Sequence, residues 1–380
     1  MCGGLTAGAS ARTNTMGERR AMLSSRKALA GAAPRAFAMR SPVPTARASR
    51  VVSRGAVFAM ARASDPTVRN PPSSDISALQ KCRLITAIKT PYTEMGLFDY
   101  DTYDQMVERQ IQCGVDGLIV GGTTGEGHLM SWDEHIVLIA HTVASFGDRI
   151  TVIGNTGSNC TREGIKATQQ GFAVGMHCAL QINPYYGKTS SSGILQHFNH
   201  VLDTGPGIIY NVPPRTAQDI TPDLMAEIAK HPNFVGVKEC MGNDRIKGYT
   251  STGIECWSGN DDEAYVSRHE CGAVGVISVT SNVLPKAMSK LMYEKDDELA
   301  AKIAPFINYL FEEPNPIGLN TVCAMTGLAR PVFRMPYLPY DAAKRAAGVK
   351  IIEEMGKEHV DGLTQLKALE DTDFVSTIGW

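Results

Sequence analysis

The chain has 380 residues, 43% hydrophobic and 20% charged, with a formal net charge of −2, enough apolar material for a sizeable core and compatible with one large α/β domain. No apolar run is long enough for a transmembrane helix. Charge is unevenly spread: residues 1–64 hold ten Arg, Lys27 and one acid, Glu18, for a net +10, so the rest of the chain sits at −12. An acidic body argues against nucleic-acid binding, which needs a basic stripe.

Taken in order, the first 64 residues are rich in Arg and Ser and poor in acids, the composition of an organelle transit peptide. They lack the continuous apolar core of a secretory signal. A disordered basic tail that binds an anionic partner is the alternative. From about residue 82, short apolar runs alternate with amphipathic segments. Strands are expected at 83–88, 117–120, 150–154, 178–182, 207–210, 234–237, 254–257 and 273–277. Among the intervening helices, those at 101–113 and 133–146 open on acidic residues, which suit the positive end of the helix dipole. Eight βα units predict a closed (β/α)8 TIM barrel rather than an open sheet. Strands then stop after Val283-Leu284-Pro285. The remainder reads as a helical C-terminal appendage, interrupted by Pro-rich stretches at 313–316 and 336–339. The expected organisation is a leader at 1–64, a catalytic barrel at 80–299 and a helical region at 300–380. Nine cysteines, with no Cys-x-x-Cys pair, lie mainly in or beside apolar strands, as small buried hydrophobes do. They imply a reduced compartment, and no His/Cys spacing suits zinc.

Barrel enzymes gather catalytic groups at the C-terminal ends of their strands. Those ends carry Thr123 and Thr124 after the second strand, Tyr185 and Tyr186 after the fourth, and Tyr210 at the end of the fifth. Lys238 ends the sixth, Asn260 and Asp261 follow the seventh, and Ile277 closes the eighth. Lys238 terminates the apolar run Phe234-Val235-Gly236-Val237. Burial disfavours an ammonium, which leaves a neutral amine able to form a Schiff base with a carbonyl substrate. Snorkelling at a strand end is the other reading. Tyr210, one βα unit earlier, would put a phenol within reach to shuttle protons. In Gly121-Gly122-Thr123-Thr124-Gly125-Glu126-Gly127, glycines let the backbone approach a ligand, and hydroxyls and amides can hold a carboxylate. The segment lacks the Gly-Lys-Ser/Thr ending of a phosphate loop. A tight strand-to-helix turn remains the bland reading.

With these motifs the chain resembles the dihydrodipicolinate synthases, plant members in particular, over about residues 82–345. The resemblance rests on Ala87-Ile88-Lys89-Thr90-Pro91, the Thr123 turn, Tyr210-Asn211-Val212-Pro213-Pro214-Arg215-Thr216, Gly236-Val237-Lys238-Glu239, Ser258-Gly259-Asn260-Asp261-Asp262 and Gly275-Val276-Ile277-Ser278-Val279. The Thr-Thr-Gly-Glu and Tyr-Asn-x-Pro elements are shared with neuraminate lyase and related pyruvate aldolases. The Pro-Pro-Arg-Thr continuation and the paired tyrosines narrow the resemblance. Trp132 and the run Glu313-Pro314-Asn315-Pro316-Ile317-Gly318-Leu319-Asn320 give it a plant character.

The resemblance implies condensation of pyruvate with L-aspartate-4-semialdehyde on the diaminopimelate route to lysine, without cofactor or metal. Lys238 would carry the pyruvate imine. Tyr210 would relay protons with Thr123 and with Tyr186, which reaches across a dimer interface. Thr124 would hold the pyruvate carboxylate, and Arg215 the carboxylate of the semialdehyde, a role for which a planar fork is better suited than a lysine. Gly259, Asn260 and the Ile277 carbonyl complete the substrate contacts. A homotetramer of tight dimers in the plastid stroma is implied as well. Trp132, His135, Asn159, Glu163 and Tyr185 match the positions at which this family binds its inhibitor, lysine. Glu163 and Asn159 suit an ammonium and a carboxylate, and Trp132 offers a flat face to a cationic chain. A polar dimer interface with one packed tryptophan is the alternative. A different aldolase, of the neuraminate or keto-deoxy-sugar lyase type, would keep Lys238 and Tyr210 but need hydroxyl-reading residues in place of Arg215. A catalytically dead lysine sensor would have lost one of that pair.

Overall fold

The computed structural model describes residues 72–379, and the leader expected at 1–64 lies outside them. Eight parallel strands close in chain order: β1 (Leu84–Ala87), β2 (Gly117–Val120), β3 (Thr151–Asn155), β4 (Cys178–Ile182), β5 (Gly207–Asn211), β6 (Phe234–Glu239), β7 (Cys256–Ser258) and β8 (Gly275–Ser278). β1 pairs with both β2 and β8, which seals the barrel. This is the (β/α)8 architecture expected from the sequence, with strand ends displaced by no more than two residues. The two helices singled out run Tyr100–Gln112 and Trp132–Phe146, capped by Asp99 and Ser131. The second carries a full capping box with Glu134, which satisfies two otherwise orphaned N–H groups.

Both faces of every strand are covered, so the strands are apolar almost throughout instead of alternating. Ile85, Ile119, Ile153, Leu180, Ile208, Trp257 and Ile277 fill the inside. Leu84, Leu118, Val152 and Val276 pack outward among the helices. The N-terminal end is plugged: the Trp257 indole Nε1 donates to the Cys82 carbonyl at 2.7 Å, and Gln80 Nε2 donates to the Val235 carbonyl at 2.8 Å. Gly236 makes room for that indole, because a Cβ there would lie 2.6 Å from Trp257 Cζ3. A register shift at Gly207/Ile208 follows, after which Tyr210 pairs with Lys238. Paired residues project to the same face of a sheet, so the phenol and the amine enter the barrel mouth side by side.

The C-terminal region differs from the all-helical expectation. Helices Asp297–Leu310, Ile317–Met325 and Ala342–Met355 are present, but β9 (Val332–Arg334) and β10 (Val375–Thr377) form a parallel two-stranded sheet. Each strand has three residues, too few to show a period in the sequence. Tertiary contacts set them instead: Phe333 is buried against Phe374, with ring centroids 5.8 Å apart. Arg334 donates to the Gly96 carbonyl at 2.7 Å and to Glu134 Oε1 at 2.6 Å, and lies 4.4 Å over the Tyr92 ring. The appendage therefore clamps the loop after β1 to the capping box of the helix after β2.

Two glycines should respond in opposite ways. A Cβ on Gly275 would collide with the Arg83 carbonyl oxygen at the β8–β1 seam, whereas one on Gly248, in helix Asn243–Thr250, meets nothing within 4 Å. Gly248→Ala should stabilise by about 0.5–1 kcal/mol. Gly275→Ala should sharply lower the thermal unfolding midpoint or prevent soluble expression. Equal midpoints for the two variants would contradict the closed seam.

Candidate active site

Lys238 is only 7% exposed, with Nζ 4.4 Å from the centroid of the Tyr210 ring. Among the described residues no side chain accepts a hydrogen bond from this amine. Burial pushes its pKa below the ordinary lysine value, with Arg215 acting in the same direction and Cys240 and Asp261 opposing. For Tyr210, burial and then Cys240 push the phenol well above its usual value, so it stays protonated, while Arg215 pulls the other way. The pair thus combines a nucleophile biased toward neutrality with a proton donor.

Gly259 opens the flank of the amine. A side chain there would strike Cys240 Sγ and approach Lys238 Cε to 3.1 Å. Asn260 uses its amide on the scaffold, donating to the Cys240 carbonyl at 3.3 Å and to Glu263 Oε2 at 2.8 Å. Asp261 Oδ2 accepts from the Val279 and Thr280 amides and the Thr280 hydroxyl at 2.8–2.9 Å, tying the loop after β7 to the end of β8. Ile277 is buried in β8.

The Thr123-Thr124 turn is held from three sides. Glu126 takes a left-handed φ of 61° and donates its N–H to the Thr123 carbonyl at 3.0 Å. Thr90 Oγ1 donates to the Gly125 carbonyl at 2.7 Å. Asn320 receives Lys89 Nζ at 2.6 Å and donates to Glu126 Oε1 at 2.7 Å. Thr123 is half-buried, and Thr124 is buried with its Oγ1 accepting from Asn315 Nδ2 at 3.0 Å. Arg215, exposed on the short helix Pro213–Thr216 after β5, donates through Nη2 to the Asn315 carbonyl at 3.3 Å. Tyr186 is not drawn in. It is 94% exposed and holds a φ of 68°, a costly backbone state for an aromatic residue.

The second set of residues forms two groups. Asn159 Nδ2 donates to the Tyr185 carbonyl at 3.2 Å, and Ser158 Oγ donates to Glu163 Oε2 at 3.0 Å. Burial first, then the nearby Glu163, raise the Tyr185 phenol. Trp132 stacks on His135, with centroids 5.4 Å apart and planes at 17°. Burial takes the His135 imidazole down to about 4, so it is neutral at physiological pH.

Three further residues at the site were given no role by the sequence. Glu239, fully buried beside Lys238, accepts from Asn211 Nδ2 at 3.1 Å and from the Cys240 and Met241 amides. Cys240 lies against Gly259 and the Lys238 stem. Asn315 arrives from the C-terminal region. Only their adjacency to recognised motifs could have marked them. Among the described residues no group of three or more His, Cys, Asp or Glu is placed to hold a metal, and eight cysteines are free.

Comparison with known proteins bears on the family and the fold. Residues 80–355 match the model of the dihydrodipicolinate synthetase family. The chain is 59% identical over 304 residues to a chloroplastic 4-hydroxy-tetrahydrodipicolinate synthase of Nicotiana tabacum, covering 80% of this chain and 84% of that protein. It is 58% identical over 298 residues to the chloroplastic enzyme 1 of Arabidopsis thaliana, covering 78% and 82%. Among solved structures it resembles the chloride-inhibited dihydrodipicolinate synthase of Acinetobacter baumannii, complexed with pyruvate. The TM-score is 0.69 at 33% identity, over 72% of this chain and 98% of that one. The lysine-bound enzyme of Cyanidioschyzon merolae gives a TM-score of 0.69 at 26% identity, over 73% and 99%.

A depressed lysine pKa also has a stability signature. Between the folded pKa of Lys238 and the ordinary value of 10.5, the unfolded chain binds the extra proton, so stability rises with pH across that window. Below it, a buried amine costs stability relative to an apolar isostere. Lys238→Met should therefore unfold at higher urea than the parent at pH 7, with the gap narrowing as the pH rises toward 10.5. A parent as stable as the variant at pH 7 would remove the case for a buried, neutral-leaning amine.

Proposed function

The chain belongs to the dihydrodipicolinate synthetase family, and we propose that it condenses pyruvate with L-aspartate-4-semialdehyde to 4-hydroxy-tetrahydrodipicolinate through an imine on Lys238. The observation that carries this reading is the Lys238 amine over the Tyr210 ring, with Arg215 near enough to act on its charge. The neutral amine adds to the pyruvate carbonyl, forming a C–N bond. Tyr210 hands a proton to the departing hydroxyl, and water leaves to give the imine. The Tyr210 phenolate takes a methyl proton to give the enamine, whose carbon attacks the aldehyde, and Tyr210 returns the proton to the new alkoxide. The substrate's own amine then displaces Lys238 as the ring closes. Thr124 holds the pyruvate carboxylate, and Arg215 that of the semialdehyde. Gly259, Asn260 and Ile277 shape the walls, and Thr123 and Tyr186 extend the proton relay.

A second copy of the chain supplies Tyr186 to the relay. An aromatic side chain 94% exposed on a strained backbone supports that reading, and the homotetramer of tight dimers rests on the family resemblance. Lysine, as end product, occupies the site of Trp132, His135, Asn159, Glu163 and Tyr185. The basic leader at 1–64 directs the chain to the plastid stroma, as the relatives' chloroplastic names suggest. The barrel at 80–299 carries the chemistry, and the region at 300–380 braces its mouth. Arg215 favours this substrate over a sugar acid, which would call for hydroxyl-reading groups.

Borohydride added with pyruvate should fix one adduct, on Lys238, and Lys238→Ala should not label. An adduct mapping to Lys89 or Lys188 would overturn the assignment. Activity should survive exhaustive chelation, and restoration only by a divalent ion would contradict the mechanism.

Glu163→Gln and Trp132→Arg should relieve lysine inhibition while leaving turnover largely intact. A coupling of ~1–3 kcal/mol between the sites is enough for a 5–150-fold effect. Inhibition by lysine that simply competes with pyruvate would place it elsewhere.

A further inference from the structure

Asn315 lies in the Pro-rich turn between helices Asp297–Leu310 and Ile317–Met325, 191 residues from Thr124 and 100 from Arg215. It nevertheless touches both residues assigned to the substrate carboxylates. Its Nδ2 donates to Thr124 Oγ1 at 3.0 Å, and its main-chain carbonyl accepts from Arg215 Nη2 at 3.3 Å. We propose that Asn315 is a positioning residue that fixes the polarity of the Thr124 hydroxyl, so that Thr124 donates to the pyruvate carboxylate while the Asn315 backbone aims Arg215 at the second substrate. This rests on the function proposed above.

The argument is one of donors and acceptors. A threonine hydroxyl has one hydrogen to give and two lone pairs. With the amide N–H donating to one lone pair, the hydroxyl hydrogen is left over, and among the described residues nothing else bonds to that hydroxyl. A carboxylate accepts only, so the leftover hydrogen is what pyruvate requires. Reversing the contact would turn that hydrogen toward Asn315 and present only lone pairs to an anion. The other end of the amide, Oδ1, is buried without a partner, a costly state. The side chain therefore makes its hydrogen bond through Nδ2 alone. Arg215 benefits differently. Its guanidinium sits on a flexible stem, and a tether to a main-chain oxygen removes rotamer freedom before the substrate arrives. Because that tether is backbone, changing the Asn315 side chain leaves it in place, which separates the two effects.

Asn315→Asp keeps the shape but puts an acceptor where Nδ2 was, forcing the reversed polarity. The readout is the pyruvate concentration giving half-maximal borohydride trapping on Lys238, followed by intact mass. Asn315→Asp should raise it by about ten- to a hundredfold, and Asn315→Ala by clearly less. In Asn315→Ala the KM for the semialdehyde should stay within about twofold of the parent, since the Arg215 tether persists. In a Thr124→Val background the Asn315→Asp penalty should shrink to the part set by carboxylate–carboxylate repulsion, which a merely structural role would not produce. Trapping by Asn315→Asp at parental pyruvate concentrations would overturn the proposal. So would a parallel rise in KM for both substrates in Asn315→Ala, or an undiminished Asp penalty without the Thr124 hydroxyl. If the parent protein itself trapped no pyruvate, the proposed function would fall first, which keeps the two failures distinct.

Discussion

A lysine amine held 4.4 Å over a tyrosine ring, with no acceptor bonded to it, is unfavourable by itself, and the surrounding barrel has to offset that cost. Desolvation disfavours the ammonium, and a partly buried amine without a hydrogen-bond partner forgoes what water gave it. The barrel supplies the offset through its two apolar layers, one inside and one beneath the helices. It also supplies the geometry: Tyr210 and Lys238 meet because the register shift at Gly207/Ile208 brings them opposite one another. The Trp257 plug closes the far end, and the amine belongs to the C-terminal end of β6.

Lys89 gives the contrast that makes this meaningful. It is also buried at the barrel rim, but its Nζ donates to Asn320 Oδ1 at 2.6 Å and stands 3.8 Å from Glu126. A buried charge that is paired and hydrogen-bonded is a structural device, and removing one partner would strand the other. Lys89 anchors the Thr123-Thr124 turn through Glu126, whereas Lys238 is left free to react. Proximity to a substrate pocket does not distinguish the two lysines. What their amines are bonded to does.

The barrel was legible in the sequence because parallel strands covered on both faces are short apolar runs, and eight of them recur between amphipathic helices. Strand-end chemistry was legible for the same reason: once the strands were placed, Tyr210 and Lys238 had to share a rim. The C-terminal sheet was not. Val332–Arg334 and Val375–Thr377 are strands only because Phe333 and Arg334 find partners elsewhere in the fold, and no local pattern encodes a contact made at long range. Asn315 was invisible on the same grounds. Its residues were read as a mark of kinship and given no role, because the contact with Thr124 spans 191 positions. Tyr186 is the opposite case: its place was expected from resemblance, yet one chain leaves it in solvent, so the relay role proposed for it requires a neighbour.

That dependence bears on how a distant ligand could act on the amine. Tyr185 belongs to the Asn159 and Glu163 group, and the next residue carries the strained, exposed phenol. A φ of 68° at a non-glycine residue is held only while its surroundings over-determine it. A small change in the Tyr185 contacts is therefore well placed to alter what Tyr186 presents to another subunit. A ligand shifts such an equilibrium only by its differential affinity for the two loop states. The polar contacts at Asn159 and Glu163 are where such a difference would have to arise. The capping box of the helix after β2 is pinned instead, by Arg334 on Glu134, so that segment is poorly suited to move. The contrast between a clamped segment and a strained one leaves the Tyr185–Tyr186 loop as an adjustable edge, the one proposed above to carry the proton relay.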